Sequence, residues 1–555
     1  MSARRGAASL GGLLAVGIEG TRVTPAEERA ILEHGIGAFI LFERNLAESV
    51  LALRLVDALH DLGRRAAGRP PLLMIDDEGG LITESWRIGT PAPAAMALGA
   101  LGEPGLVREW AWRTGRRLAV LGVGLALAPV LDVNTERRNP VIGFRAYGDD
   151  PALVARLGLA AMEGFRSAGV LPVPKHFPGH GGVAVDSHDR LPRSPAADAD
   201  AAEPHLAPFR AAVEAGAPAI LVAHLAAPGL AGGSMMPASL SPEVLGALLR
   251  GSLGFAGAVV TDDLAMGALA EACPAEEVPA RALAAGADLL LYAEGFGSAG
   301  GAAVAGALSA DAGGHAGTAG CALRALGRAL EDGRVSEARV AEALERLDRL
   351  ARASEEALAG ATEGSSRAAG PRAREAALAA FEEDDRAARA RLTIVVATGA
   401  PALPVPAGTA LLLPARLEGR RARAVPWPRD AGHAVSDRVT EVARFESDPS
   451  DAEIERLVAA LGPARPVALG LLARAALPPG QARLAERLLA RPGPTLPIAL
   501  LNPFVLDDLP SPHGAPHRAH HAAGLATFGI EPECMTALAR VLGGHARALS
   551  ATPAR

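Results

Sequence analysis

The sequence predicts an α/β protein: a TIM-like (β/α)8 barrel followed by a smaller α/β sandwich domain. Three observations carry this. Eight short apolar runs alternate with longer helical patterns before about residue 295. Several of these runs end in a charged or imidazole side chain, as strands do at the working face of such a barrel. A second series of strand-like and helical segments starts only after a charged, alanine-rich stretch. About half of the 555 residues are apolar and only 3% are aromatic, so small aliphatic side chains must fill both cores.

The first run, "LLAVGI", follows two arginines and a short glycine-broken apolar segment. That outline faintly resembles a secretory leader, but the segment passes straight into a strand pattern and is taken as the first element of the barrel. The helix "PAEERAILEHG" and the runs "GAFILF" and "PLLMIDDE" come next, the last containing Asp76. "LALAPVLDV" ends near Asp132, and "VLPVPKHF" carries Lys175 and His176. "AILVAHL" carries His224, "GAVVTDD" ends in Asp262 and Asp263, and "DLLLYAE" completes the eight. Amphipathic stretches such as "DPALVARLGLAAMEGFRSAG" separate them. A doubly wound open sheet is the alternative arrangement of the same pattern. The barrel with its trailing helix is assigned to residues 1–352, a partly helical linker to 353–390 and the sandwich to 391–555. The sandwich is marked by "RLTIVVATGA", "ALLLPA", "PVALGLLA" and "PIALLNPF", with "DAEIERLVAAL" and "GQARLAERLLA" as helices.

A net charge of −7 without a dense basic block argues against a nucleic-acid partner or an anionic membrane surface. No apolar run reaches membrane-spanning length, and a cytoplasmic location is the default expectation. Three cysteines far apart suggest neither a disulfide framework nor a zinc site. Four histidines gather in "SPHGAPHRAHHAAG", which reads as a polar loop rather than a metal site. No metal or organic cofactor is expected, and the oligomeric state is left open.

Two segments carry chemistry. In "KHFPGHGGVAVDSHDRLP" a glycine- and proline-rich loop delivers Asp186 and His188 two positions apart. A carboxylate beside an imidazole fixes its tautomer, which suits general acid/base work near neutral pH; a solvated turn is the plain alternative. In "VVTDDLAMGA" a β-branched strand ends in adjacent carboxylates, which suit a metal site, a helix cap, or a nucleophile with a neighbour. Lys175 is the only lysine among 55 lysine and arginine residues. A compact ammonium can approach a single oxygen where the wider guanidinium fork cannot.

Together with "GIGAFILFERN", "IDDEGG", "APVLDVN", "NPVIGFRAYGDDP", "PASLS" and "ALAAGADLLL", these segments resemble glycoside hydrolase family 3 over about residues 10–350, in its β-N-acetylglucosaminidase branch. The later part, with "ALLNPF" and "LATFG", resembles the sandwich domain of two-domain members more loosely. The resemblance implies a retaining glycosidase on a small saccharide, with Asp262 as nucleophile, His188 as acid/base and Asp186 as its partner. It implies that Asp76, Arg145, Lys175 and His176 hold sugar hydroxyls and that His224 lies near the site. Asp132 and Asn134 are read as scaffold, and His180 as structural. The family's arginines after "EGG" are replaced by Leu81, Ile82, Thr83 and Glu84, which puts any acidic-substrate preference in doubt, and Gly182 and Val183 stand where many relatives carry Asp-Thr. The leading expectation is hydrolysis of terminal β-linked N-acetylglucosamine from peptidoglycan- or chitin-derived sugars. Phosphorolysis with the same Asp/His pair, and a non-catalytic sugar-binding protein on the same barrel, are the alternatives.

Overall fold

A computed structural model describes residues 10–295, 318–361 and 370–391, and beyond these mainly 409–417, 438–474, 476–506, 524–528 and 532–542. The eight predicted strands are all present: β1 (Leu14–Gly17), β2 (Ala38–Leu41), β3 (Leu72–Ile75), β4 (Leu125–Ala126), β5 (Leu171–Pro172), β6 (Ala219–Val222), β7 (Ala258–Asp263) and β8 (Leu289–Tyr292). They form one parallel sheet in the order β5-β4-β3-β2-β1-β8-β7-β6. The ring closes beyond the formal end of β5, where the Phe177 amide donates to the Leu221 carbonyl (2.9 Å) and Leu221 donates to the Pro174 carbonyl (3.0 Å). This closure excludes the open-sheet alternative.

β4 and β5 are much shorter than their apolar runs. Pro129, Pro172 and Pro174 interrupt those runs, and a proline has no amide to donate to a ladder. The chain stays extended there and is held by single bonds such as Val173 N–H to the Ala126 carbonyl (2.8 Å). The strands bury aliphatic side chains on both faces of the barrel wall, including Leu14, Ile40, Met74, Leu221 and Val260.

Among the helices packed beside the barrel are α1 (Pro104–Leu121), α2 (Glu337–Gly360) and α3 (Pro371–Arg391). α2 packs against the barrel through Ala343, Leu347 and Leu350. At its start Arg339 and Arg346 join Arg250 around the fully buried Asp288, at 2.5, 3.2 and 2.6 Å. α3 is anchored by Arg374, which pairs with Asp57 (2.8 Å) and donates to the carbonyls of Val120 and Leu121 at the end of α1.

The second domain is built on a seven-stranded, mostly parallel sheet. Its order is Val439–Phe445, Thr409–Pro414, Val467–Leu471, Thr495–Ala499, Gly524–Ala526, Val396–Thr398, Leu549–Ser550. Helices Asp451–Leu461, Pro479–Leu489 and Pro532–Leu542 flank it. Its apolar cluster also takes in Leu81, Ala94, Met96, Ala97 and Phe144 from the barrel, with Ile82 packed against it. Leu81 stands where the family pattern has its first arginine, with Ile82 beside it. In this chain that face is an interdomain contact, where an unpaired charge would be costly. The histidines of "SPHGAPHRAHHAAG" lie outside the described residues. Among the described residues, no helix is long and apolar enough to cross a membrane.

Candidate active site

β7 delivers the candidate nucleophile. Val259, Val260 and Thr261 are buried in the barrel wall, and the strand runs out at Asp262 and Asp263 on its C-terminal rim. The Asp262 carboxylate accepts the Asp263 amide (2.9 Å). Burial opposes its ionisation, but His224, His176 and His188 outweigh this and hold its pKa below the usual aspartate value. The neighbouring carboxyl behaves oppositely. Burial, with the Asp262 charge adding to it, pushes Asp263 up to about 6, while its side chain accepts the Ala265 amide (3.0 Å). The two adjacent aspartates thus differ in charge in weakly acidic solution.

The loop after β5 brings the imidazole of His188 into electrostatic reach of Asp262. Asp186 Oδ1 accepts the His188 backbone amide (2.8 Å) and also its Nδ1–H (2.7 Å). That double contact fixes the ring through Nδ1 and turns Nε2 away from Asp186. About a third of each side chain is exposed. The loop is tied down on both sides: the amides of Gly267 and Ala268 donate to the carbonyls of His188 and Ser187 (both 3.2 Å), and Ala226 pairs with Arg193.

A polar socket lies across the same rim. Lys175 sits at the end of the β5 segment with its side chain 3% exposed. Its ammonium bonds to Asp76 and lies 2.5 Å from Glu78. Burial disfavours the charge, but the two carboxylates outweigh burial and raise the Lys175 pKa. Arg145 grips Glu78 with a two-pronged contact, Nε to Oε2 and Nη2 to Oε1, both 2.8 Å, and Nη2 also donates to His176 Nε2 (3.0 Å). His176 in turn donates Nδ1–H to Asp132 (2.6 Å), whose other oxygen accepts the His180 amide (2.6 Å). Arg145 and His176, which the resemblance assigned to sugar hydroxyls, also bond to these protein groups, and Asp76 keeps 22% of its side chain exposed. His180 is pushed down to about 4 by burial and is therefore neutral at working pH. His224 is almost fully buried. It bonds the Asp263 carbonyl through Nε2 (3.0 Å) and Ser239 Oγ through Nδ1 (2.8 Å), and so steadies the strand end that carries the nucleophile.

Glu78 is the important residue that sequence reasoning passed over. It joins the lysine to the arginine and is only 3% exposed. The signal for it was the alternation of an extended chain: residues 76 and 78 face the same way, and residue 77 faces the other.

An ionised carboxylate, an imidazole that can give and take a proton, and a socket of charged groups suited to hydroxyls form the working parts of a glycoside hydrolase. Similarity to known proteins narrows the class. The model of the glycosyl hydrolase family 3 N-terminal domain matches residues 8–350, and the chain belongs to that family. A β-hexosaminidase of Alkalilimnicola ehrlichii is 39% identical over 289 residues, which is 50% of this chain and 80% of that protein. A β-hexosaminidase of Stenotrophomonas maltophilia is 36% identical over 50% of this chain and 82% of its own. The solved structure of a family 3 β-N-acetylglucosaminidase from Paenibacillus sp. str. FPU-7 superposes with a TM-score of 0.80 at 30% identity, covering 98% of this chain and 97% of that one. The last similarity spans both domains.

Proposed function

We propose that this family 3 β-hexosaminidase is a retaining, exo-acting β-N-acetylglucosaminidase that releases terminal β-linked N-acetylglucosamine from peptidoglycan- or chitin-derived saccharides. The observation that carries the reading is the Asp186–His188 pair held within electrostatic reach of an ionised Asp262. Asp262 attacks the anomeric carbon while His188 Nε2–H protonates the leaving oxygen, giving a glycosyl-aspartate. His188 then takes a proton from water, and the resulting hydroxide displaces Asp262. An imidazole beside an anionic nucleophile avoids the like-charge repulsion of two carboxylates. Lys175 and Asp76 orient the terminal sugar.

The test is hydrolysis of 4-nitrophenyl β-N-acetylglucosaminide, with the first-formed anomer followed by NMR. The β-anomer is expected, with Asp262→Ala inactive. An initial α-anomer, or full activity in Asp262→Ala, overturns the mechanism. Sugar 1-phosphate formed on addition of phosphate identifies a phosphorylase instead, and no turnover of any β-hexosaminide leaves sugar binding as the role.

A further inference from the structure

The segment Asp76–Glu78 alternates. Asp76 and Glu78 turn toward Lys175, whereas Asp77 turns the other way into the protein, where its carboxylate is fully buried. Asp77 accepts the Ser85 amide (3.0 Å) and the Ser85 hydroxyl, and faces Arg117 Nη2 at 3.6 Å. Arg117, on α1, is 1% exposed. Its other nitrogen donates to the Thr90 carbonyl (3.1 Å) and to Asp385 Oδ2 (3.3 Å) on α3. Asp385 is fully buried and also accepts from Arg113 (3.0 Å) and Arg116 (2.6 Å). A Cβ on Gly89 would come within 2.3 Å of the Arg117 side chain, so the 76–90 segment is fitted closely around this guanidinium. Burial raises the Asp77 pKa, and Arg117 and the Ser85 hydrogen bonds work against it.

We propose that Arg117 and Asp385 are positioning residues for sugar binding: a buried charge chain from α3 through α1 to Asp77 sets where Asp76 and Glu78 meet Lys175. The helix that comes after the barrel thereby contributes to the site without touching substrate. The inference rests on the reading that Asp76 and Lys175 hold the terminal sugar. Asp262 ends β7 and His188 lies on the loop after β5, neither of them in this chain of charges, so loosening it weakens sugar binding more than it slows the chemistry.

The experiment compares KM and kcat on 4-nitrophenyl β-N-acetylglucosaminide for Asp385→Asn, Arg117→Lys and four references. Asp385→Asn and Arg117→Lys are expected to raise KM about tenfold with kcat within about threefold, a size typical of coupling within one buried network. Asp385→Glu should recover most of the KM. Asp384→Asn touches Arg113 and Arg116 but not Arg117, is half exposed, and should keep wild-type constants. Arg374→Met loosens the same helix at another point and should lower Tm without moving KM. An equal KM rise in Arg374→Met shows a merely structural effect and overturns the proposal, and so does wild-type KM in both Asp385→Asn and Arg117→Lys. Lys175→Met separates the two levels: if it leaves KM unchanged, the sugar-socket reading falls and the proposal with it. If it raises KM while both chain variants do not, only the charge chain is refuted.

Discussion

Replacing Lys175 by arginine keeps the charge and changes only its shape. In the structure the ammonium is a single point shared by two carboxylates, bonded to Asp76 and 2.5 Å from Glu78, with 3% of the side chain exposed. Glu78 is already clasped on both oxygens by the Arg145 guanidinium at 2.8 Å. A second guanidinium would spread its nitrogens around a central carbon, where one nitrogen now serves both acceptors. It can keep Glu78 only by crowding Arg145, or keep Asp76 by leaving Glu78. One charge-assisted hydrogen bond is thereby lost or badly bent, worth about 2 kcal/mol, which corresponds to about 30-fold in kcat/KM. Unfolding stability should fall much less than in Lys175→Met, where two carboxylates lose a buried partner outright. The assay is initial-rate hydrolysis of the chromogenic β-N-acetylglucosaminide, with circular dichroism melts alongside. Retention of kcat/KM within twofold in a folded Lys175→Arg protein would refute the argument that a point charge is required.

Two further outcomes rest on the same geometry. His188→Ala should cost about 10²–10⁴ in kcat/KM on an alkyl-like leaving group such as a second N-acetylglucosamine, and much less on 2,4-dinitrophenolate, which departs without protonation; equal losses on both would remove His188 from the acid role. Asp263 keeps its proton in the fold up to about pH 6, whereas the unfolded chain releases it near 3.8. Its raised pKa therefore adds stability that is full below about pH 4 and is lost as pH rises through 6. Asp263→Asn, neutral throughout, should match the wild type near pH 4 and exceed it at pH 8 by up to about 3 kcal/mol in urea unfolding; a stability difference independent of pH would show that burial does not set this titration.

The sequence by itself determined whatever depends on neighbours along the chain. Apolar periodicity marked all eight barrel strands, and the two-residue spacing of Asp186 and His188 is short enough to impose their contact in the folded loop. The prolines that shorten β4 and β5 were also visible, since a missing amide acts where it stands. Only the tertiary structure decided the partners of charged groups. Glu78 meets Arg145 across 67 residues of sequence, and Arg117 meets Asp385 across 268. The replacement of an expected cation by Leu81 made sense only once the second domain was seen to cover it. The physical reason is one of range. Backbone propensity and side-chain period act over a few residues, whereas a buried charge takes its partner from whatever barrel closure and domain docking bring beside it, and no local pattern specifies that.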